Sequence, residues 1–248
     1  ATFLITVAWL TFHLRQAVAA ISPAPVTFTT REGFAVALPT RDQVRPLVMV
    51  LVAVASFLLA SFVSTQWMTL LSWWYQVPFG ASDPVLGHDA GFYVFTLPAL
   101  ELLRGFLLGL ILLAALGSAG LYFVAGQVAL TPFGLRVEDR ARRHLTWLAA
   151  AFFLVLALGA WMSRVHEIVM PSGIIQGASY ADVHARMPAA LVLTAAAMVA
   201  AGLAATAAVT GRVRLLIAAA GLYAITMLGG QAYAAMLQRF AVTPNEQV

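Results

Sequence analysis

Apolar residues in this chain neither alternate nor follow a narrow amphipathic stripe; they gather in six long runs separated by short polar segments. The runs cover about 1–20, 46–66, 98–125, 144–163, 188–210 and 215–237, and each reaches the roughly 20 residues needed to cross a bilayer core as a helix. In hydrocarbon, a helix satisfies its backbone hydrogen bonds within one segment. A strand barrel would show alternating segments of about ten residues instead, and none is present. The pattern predicts an all-α polytopic membrane protein, a bundle of about six transmembrane helices forming one domain over 1–248. Pro46, Pro98 and Pro188 stand at three run starts, where a missing N–H costs nothing.

Two connections carry elements of their own. In 21–45, Val26–Thr30 and Phe34–Leu38 favour strand and flank Arg31-Glu32-Gly33, which predicts a small cytoplasmic β-hairpin. The long segment 67–97 places Trp67, Leu70, Leu71 and Trp74 on one helical face. Trp73, Tyr75, Phe79, Phe92, Tyr93 and Phe95 add a dense aromatic group. Such rings favour the headgroup level, so an amphipathic segment along the outer interface is expected.

Composition sharpens the class. The chain is 62% hydrophobic and 10% charged, outside the range of a soluble domain. It has no cysteine, which removes disulfides and thiolate metal sites. All fourteen basic residues are Arg, and their placement gives orientation. Ten (Arg15, Arg31, Arg41, Arg45, Arg136, Arg140, Arg142, Arg143, Arg212, Arg214) fall on one side and four (Arg104, Arg164, Arg186, Arg239) on the other. The richer side is expected in the cytoplasm, with Val248 and everything after residue 237 outside. Topology thus accounts for a pI near 10, and no nucleic-acid partner is expected.

Three outer segments carry a resemblance: Asp83-Pro84-Val85-Leu86-Gly87-His88-Asp89-Ala90-Gly91-Phe92-Tyr93-Val94-Phe95, Gly177-Ala178-Ser179-Tyr180-Ala181-Asp182-Val183-His184-Ala185-Arg186-Met187-Pro188, and Gln238-Arg239-Phe240-Ala241-Val242-Thr243-Pro244-Asn245-Glu246. Together they resemble the bacterial integral-membrane family known as uncharacterised protein family 0182. The resemblance implies several N-terminal spanning helices, usually seven, ahead of a large extracytoplasmic region, all in the bacterial plasma membrane. It also implies that an upstream helix and the downstream region belong to the intact protein. His88 stands where the family suggests Lys or Arg. The resemblance brings a fold and a topology, and no mechanism.

The polar side chains form three candidate groups. Tyr180, Asp182, His184 and Arg186 share one face if the segment is extended, whereas Asp182 and Arg186 pair at i, i+4 if it is helical. The functional reading is an ion or anionic headgroup site at the outer mouth; the alternative is a network tying the loop to the next helix. Asp83, His88 and Asp89 form a second outer cluster, able to ligate a hard cation or serve as turn chemistry. Glu101 and Arg104 fall within the third run, where a charge needs a partner, and their i, i+3 spacing predicts an intramembrane ion pair. His13 and His144 lie near helix ends, an unsuitable depth for a bis-His haem site. Arg164, His166 and Glu167 are expected to cap and snorkel.

No HExxH, nucleophile–base pair or phosphate loop occurs, so no catalytic residue, metal site or cofactor is assigned and an enzyme is disfavoured. The expected function is structural: an integral-membrane protein anchoring an extracytoplasmic region or packing among other membrane subunits. Its partners are the lipid bilayer and its own further polypeptide or such subunits. A transporter or lipid-handling protein is the alternative.

Overall fold

The computed structural model describes residues 1–29, 35–131, 134–172 and 175–243. Seven α-helices run in chain order: α1 Thr2–Val18, α2 Arg41–Thr65, α3 Trp67–Trp74, α4 Leu97–Val124, α5 Asp139–Val169, α6 Met187–Thr210 and α7 Val213–Leu237. Single π-turns at Phe92–Thr96, Asp182–Arg186 and Gln238–Val242 extend α4, α6 and α7. Among the described residues, five helical stretches, in α2 and α4–α7, are long and apolar enough to cross a membrane. The first expected span, α1, has 17 residues, about 25 Å at 1.5 Å per residue.

Helix ends depart from the sequence pattern where local chemistry overrides hydropathy. The second helix starts at Arg41 instead of Pro46 because Thr40 and Gln43 cap it: the Thr40 N–H donates to Gln43 Oε1 at 2.9 Å. Pro46 therefore lies inside the helix. Helix α5 runs from Asp139 to Val169, beyond the apolar run 144–163 at both ends. Charged residues continue a helix readily once its apolar centre is established.

Among the described residues, three antiparallel strand pairs join helices. In the expected hairpin, β1 (Val26–Thr29) pairs with β2 (Ala35–Leu38), Val26 opposite Leu38; the Arg31-Glu32-Gly33 turn lies outside the described residues. The pairs β3 (Val128–Thr131) with β4 (Gly134–Val137), and β5 (Pro171–Ser172) with β6 (Ile175–Gln176), have no counterpart in the sequence reading. Expected aromatic helix α3 is present, with none of its residues buried.

The chain packs as two units, Ala1–Gln66 with Phe106–Ala149, and Trp67–Gly105 with Ala150–Val248. In the first, Leu10, Leu14 and Val18 of α1 meet Val48 and Val52 of α2, Ala114 of α4 and Leu148 of α5. Gly117 faces Leu14, and a Cβ there would lie 2.8 Å from Leu14 Cδ2. In the second unit, small residues do the packing. Ala200, Ala201 and Ala204 of α6 are buried with Ala150 and Phe153 of α5 and Ala219 of α7, while Val192, Met198 and Val209 of α6 point outward. Small residues inside and large apolar ones outside is the arrangement expected of helices in lipid, where close backbone approach drives association. Gly230 continues that crossing, its Cβ position 3.1 Å from Ala189. On α4, a Cβ at Gly105 would meet nothing within 4 Å, and one at Gly109 would lie 3.5 Å from Leu59 Cδ1.

Candidate functional site

The polar chemistry of the second unit collects around the C-terminal end of α5. Ser179 starts the next helical stretch: its Oγ accepts from the Asp182 N–H at 3.3 Å, and Asp182 Oδ2 accepts from the Ser179 N–H at 2.7 Å. The segment from Tyr180 is therefore helical, which settles the extended alternative against it. Asp182 Oδ1 then takes Arg186 Nη1 at 2.8 Å, the i, i+4 pair. The same Arg186 nitrogen lies 3.6 Å from Glu167 Oε2 on α5. Asp182 is only 2% exposed, so this carboxylate holds the α6 entrance rather than meeting solvent. Tyr180 stacks on His184 with ring centroids 4.0 Å apart, and His184 Nδ1 donates to the Tyr180 carbonyl at 3.0 Å. The structure joins Tyr180 to His184 and Asp182 to Arg186, as two pairs on one turn.

The second cluster resolves into loop chemistry. Asp83 accepts from the N–H groups of Val85, Leu86 and His88 and from Tyr93 Oη at 2.6 Å. Burial pushes the Asp83 carboxyl up, but these four donors outweigh it and hold the group below the usual carboxylate range. Asp89 accepts from the N–H groups of Phe79, Gly91 and Gly80, which hold its carboxyl low as well. Both carboxylates are thus consumed by backbone donors. His88 meets Asp83 through its main chain, while its ring stacks on Phe92 at 4.4 Å. Among the described residues, no group of three or more His, Asp or Glu side chains is arranged to hold a metal ion.

The predicted Glu101–Arg104 pair is not formed. Glu101 pairs across to His166 of α5, whose other ring nitrogen donates to the Met162 carbonyl at 2.8 Å. His166 is therefore a cross-helix partner rather than a cap. Arg104 instead lies against α5 at Gly159: a Cβ on Gly159 would sit 2.4 Å from Arg104 Nε and 2.8 Å from Cζ. The Nε is buried with no hydrogen-bond partner among the described residues. Sequence spacing within one helix favoured i, i+3 pairing; the neighbouring helix offered Glu101 a nearer base and Arg104 a seat without a side chain. A glycine in a helix interior is the only sequence signal for that seat.

A further polar group lies in the first unit. His13 Nδ1 and His144 Nε2 are 2.7 Å apart with nearly parallel rings, and Tyr122 Oη lies 2.9 Å from His144 Nδ1. All three side chains are buried. Two imidazole nitrogens this close share one proton and leave no room for a metal between them, since each Zn–N bond alone needs about 2 Å. Nothing in the sequence joins positions 131 residues apart.

The segments that pack around the end of α5 are those that carry the family resemblance. Leu86, Phe92 and Tyr93 pack with Leu97, Met162 and Val165, and Arg186 reaches Glu167, so segments 83–95 and 177–188 lean on the same stretch of α5. The profile described as "Uncharacterised protein family (UPF0182)" matches residues 1–248. The chain is 40% identical to a UPF0182 protein of Kocuria rhizophila over 208 residues, 83% of this chain and 21% of that protein. A UPF0182 protein of Kineococcus radiotolerans is 39% identical over 84% of this chain and 21% of its own length. The Geobacter sulfurreducens relative is 37% identical, over 83% and 23%. The chain spans about a fifth of the length of these relatives. No solved structure matches it. With the whole chain matched and its helices, motif segments and bacterial relatives in agreement, this chain belongs to uncharacterised protein family UPF0182.

Proposed function

We propose that this chain is the membrane-embedded anchor of a multi-pass protein of the bacterial plasma membrane, and that the end of its second unit is a docking platform for extracytoplasmic polypeptide. In this reading α1 completes six spans, the Arg-rich connections are cytoplasmic, and segments 67–97 and 164–187 lie outside together. The observation that carries it is the Asp182–Arg186–Glu167 network, which ties the α6 entrance to α5. A buried carboxylate braced this way makes a rigid surface. The apolar helices have little other means of specific recognition. Polypeptide beyond residue 248, or a partner subunit, is the proposed occupant.

The test uses the full-length protein in membranes, with a protease site inserted after Val248. After cleavage and washing, the downstream fragment stays with the membrane; in the Asp182→Asn, Arg186→Gln double variant it is released while the helices stay inserted. Release from the unaltered platform would overturn the anchor. A second reading, transport or lipid handling, is favoured by Arg104, a cation within a spanning helix that has no carboxylate partner among the described residues.

A further inference from the structure

No charged residue and no histidine occurs between Arg45 and Asp83. Residues 46–65 complete α2 and rise about 30 Å, the thickness of a bilayer's hydrocarbon core. Only Gln66 separates α2 from α3, so a chain that crosses in α2 enters α3 at the depth where the span ends. Helix α3 is built inside out for water. At about 100° per residue, Thr69, Ser72 and, just past the helix end, Gln76 share one side. Trp67, Met68, Leu70, Leu71, Trp73 and Trp74 sweep the other side over about 220°. In water the apolar side of a helix turns toward its own protein. Here the hydroxyl side does. Thr69 and Ser72 are half-buried, while every other residue of α3 is exposed. Gln76 Oε1 accepts from Thr96 Oγ1 at 2.9 Å, next to the start of α4. Trp74 is 74% exposed and the following Tyr75 72%.

We propose that α3 is an in-plane membrane anchor whose partner is phospholipid, with its apolar arc among the upper acyl chains and Trp74 and Tyr75 at headgroup level. Three observations select lipid. The polarity is inverted, hydroxyls toward the protein and rings away from it, which requires apolar surroundings. The arc is about twice the roughly 100° stripe that a helix lays against a protein partner, so a continuous apolar phase fits it and a docked chain does not. Trp and Tyr carry one polar atom on an apolar ring and favour the bilayer boundary, the depth to which α2 delivers them. Surface-bound amphipathic helices hold a basic face toward water; α3 has no basic residue, and its polar side is taken up by the protein.

The anchor rests on the multi-pass reading above, through α2, and holds whichever side faces out and whether or not polypeptide docks. Full-length protein carrying the photo-crosslinking residue benzoylphenylalanine at position 54, 71, 74 or 85, all exposed, is reconstituted into vesicles of phosphatidylcholine and phosphatidylglycerol. After irradiation and digestion, mass spectrometry identifies each adduct and its point of attachment. Positions 71 and 74 capture phospholipid on acyl carbons near the ester. Position 54, midway along α2, captures it near the chain ends, and position 85, in the Asp83 loop, captures none. Polypeptide adducts at 71 and 74 would overturn the anchor and mark a docking face. Absence of lipid adducts there, with capture intact at 54, would overturn it as a water-exposed helix. Attachment at 71 as deep as at 54, or equal lipid capture at 85, would overturn the boundary position. Absence of lipid capture at 54 would overturn the span of α2 and the anchor with it, a failure distinct from the others.

Discussion

Replacing Gly159 by Ala tests the seat of Arg104. The new Cβ would lie 2.4 Å from Nε and 2.8 Å from Cζ and Nη2, so the guanidinium must retreat by about 1 Å to reach ordinary contact. Overpacking of this kind costs about 1–3 kcal/mol, against a gain of about 1 kcal/mol for exchanging Gly for Ala inside a helix. The net expectation is a loss of about 0–2 kcal/mol. In an Arg104→Met background the clash disappears because the flexible thioether bends aside. The same Gly159→Ala change should then stabilise by about 1 kcal/mol. The sign inverts, with a coupling of about 1–3 kcal/mol between the two positions. Thermal unfolding of the four proteins in one detergent reads this as Tm shifts of about 2–4 °C per kcal/mol. Effects of Gly159→Ala that agree in the two backgrounds to within about 0.5 kcal/mol would refute the contact.

Glu101→Gln and His166→Gln should be non-additive, whereas Glu101→Gln and Arg104→Met should add, a distinction read by the same unfolding cycles. Tyr122→Phe leaves His144 Nδ1 buried without its partner and should cost about 1–3 kcal/mol, with His144→Phe less costly in the Tyr122→Phe background than alone. The Asp83 and Asp89 carboxyls are held low in the folded loop. Their contribution is therefore full above the unfolded value of about 3.9 and lost as pH falls through the depressed folded values. Protection from hydrogen exchange at residues 79–91, taken relative to the intrinsic rate at each pH, should fall steeply only in that acid range, and Asp83→Asn should lower it already at pH 7.

Much of the architecture was legible because hydropathy and length dominate in lipid. The apolar runs located the long helices among the described residues, and strand-favouring segments flanking a turn located β1 and β2. Helix ends were less so, since Thr40–Gln43 capping and the charged extensions of α5 depend on hydrogen bonds that hydropathy does not register. Local sequence pairing identified Asp182 with Arg186 because both lie one turn apart on the same helix. It failed for Glu101, whose partner is 65 residues away, and for His13, His144 and Tyr122, which meet only after α1, α4 and α5 pack.

The central claim, that the polar end of the second unit faces outward as a platform, is tested most directly by cysteine accessibility, for which a chain without native cysteine is suited. Single cysteines at positions 90, 140 and 178 are treated in intact cells with a membrane-impermeant thiol reagent. The account predicts external labelling at 90 and 178, and labelling at 140 only after the membrane is opened. External labelling at 140, or protection of either 90 or 178, would contradict it.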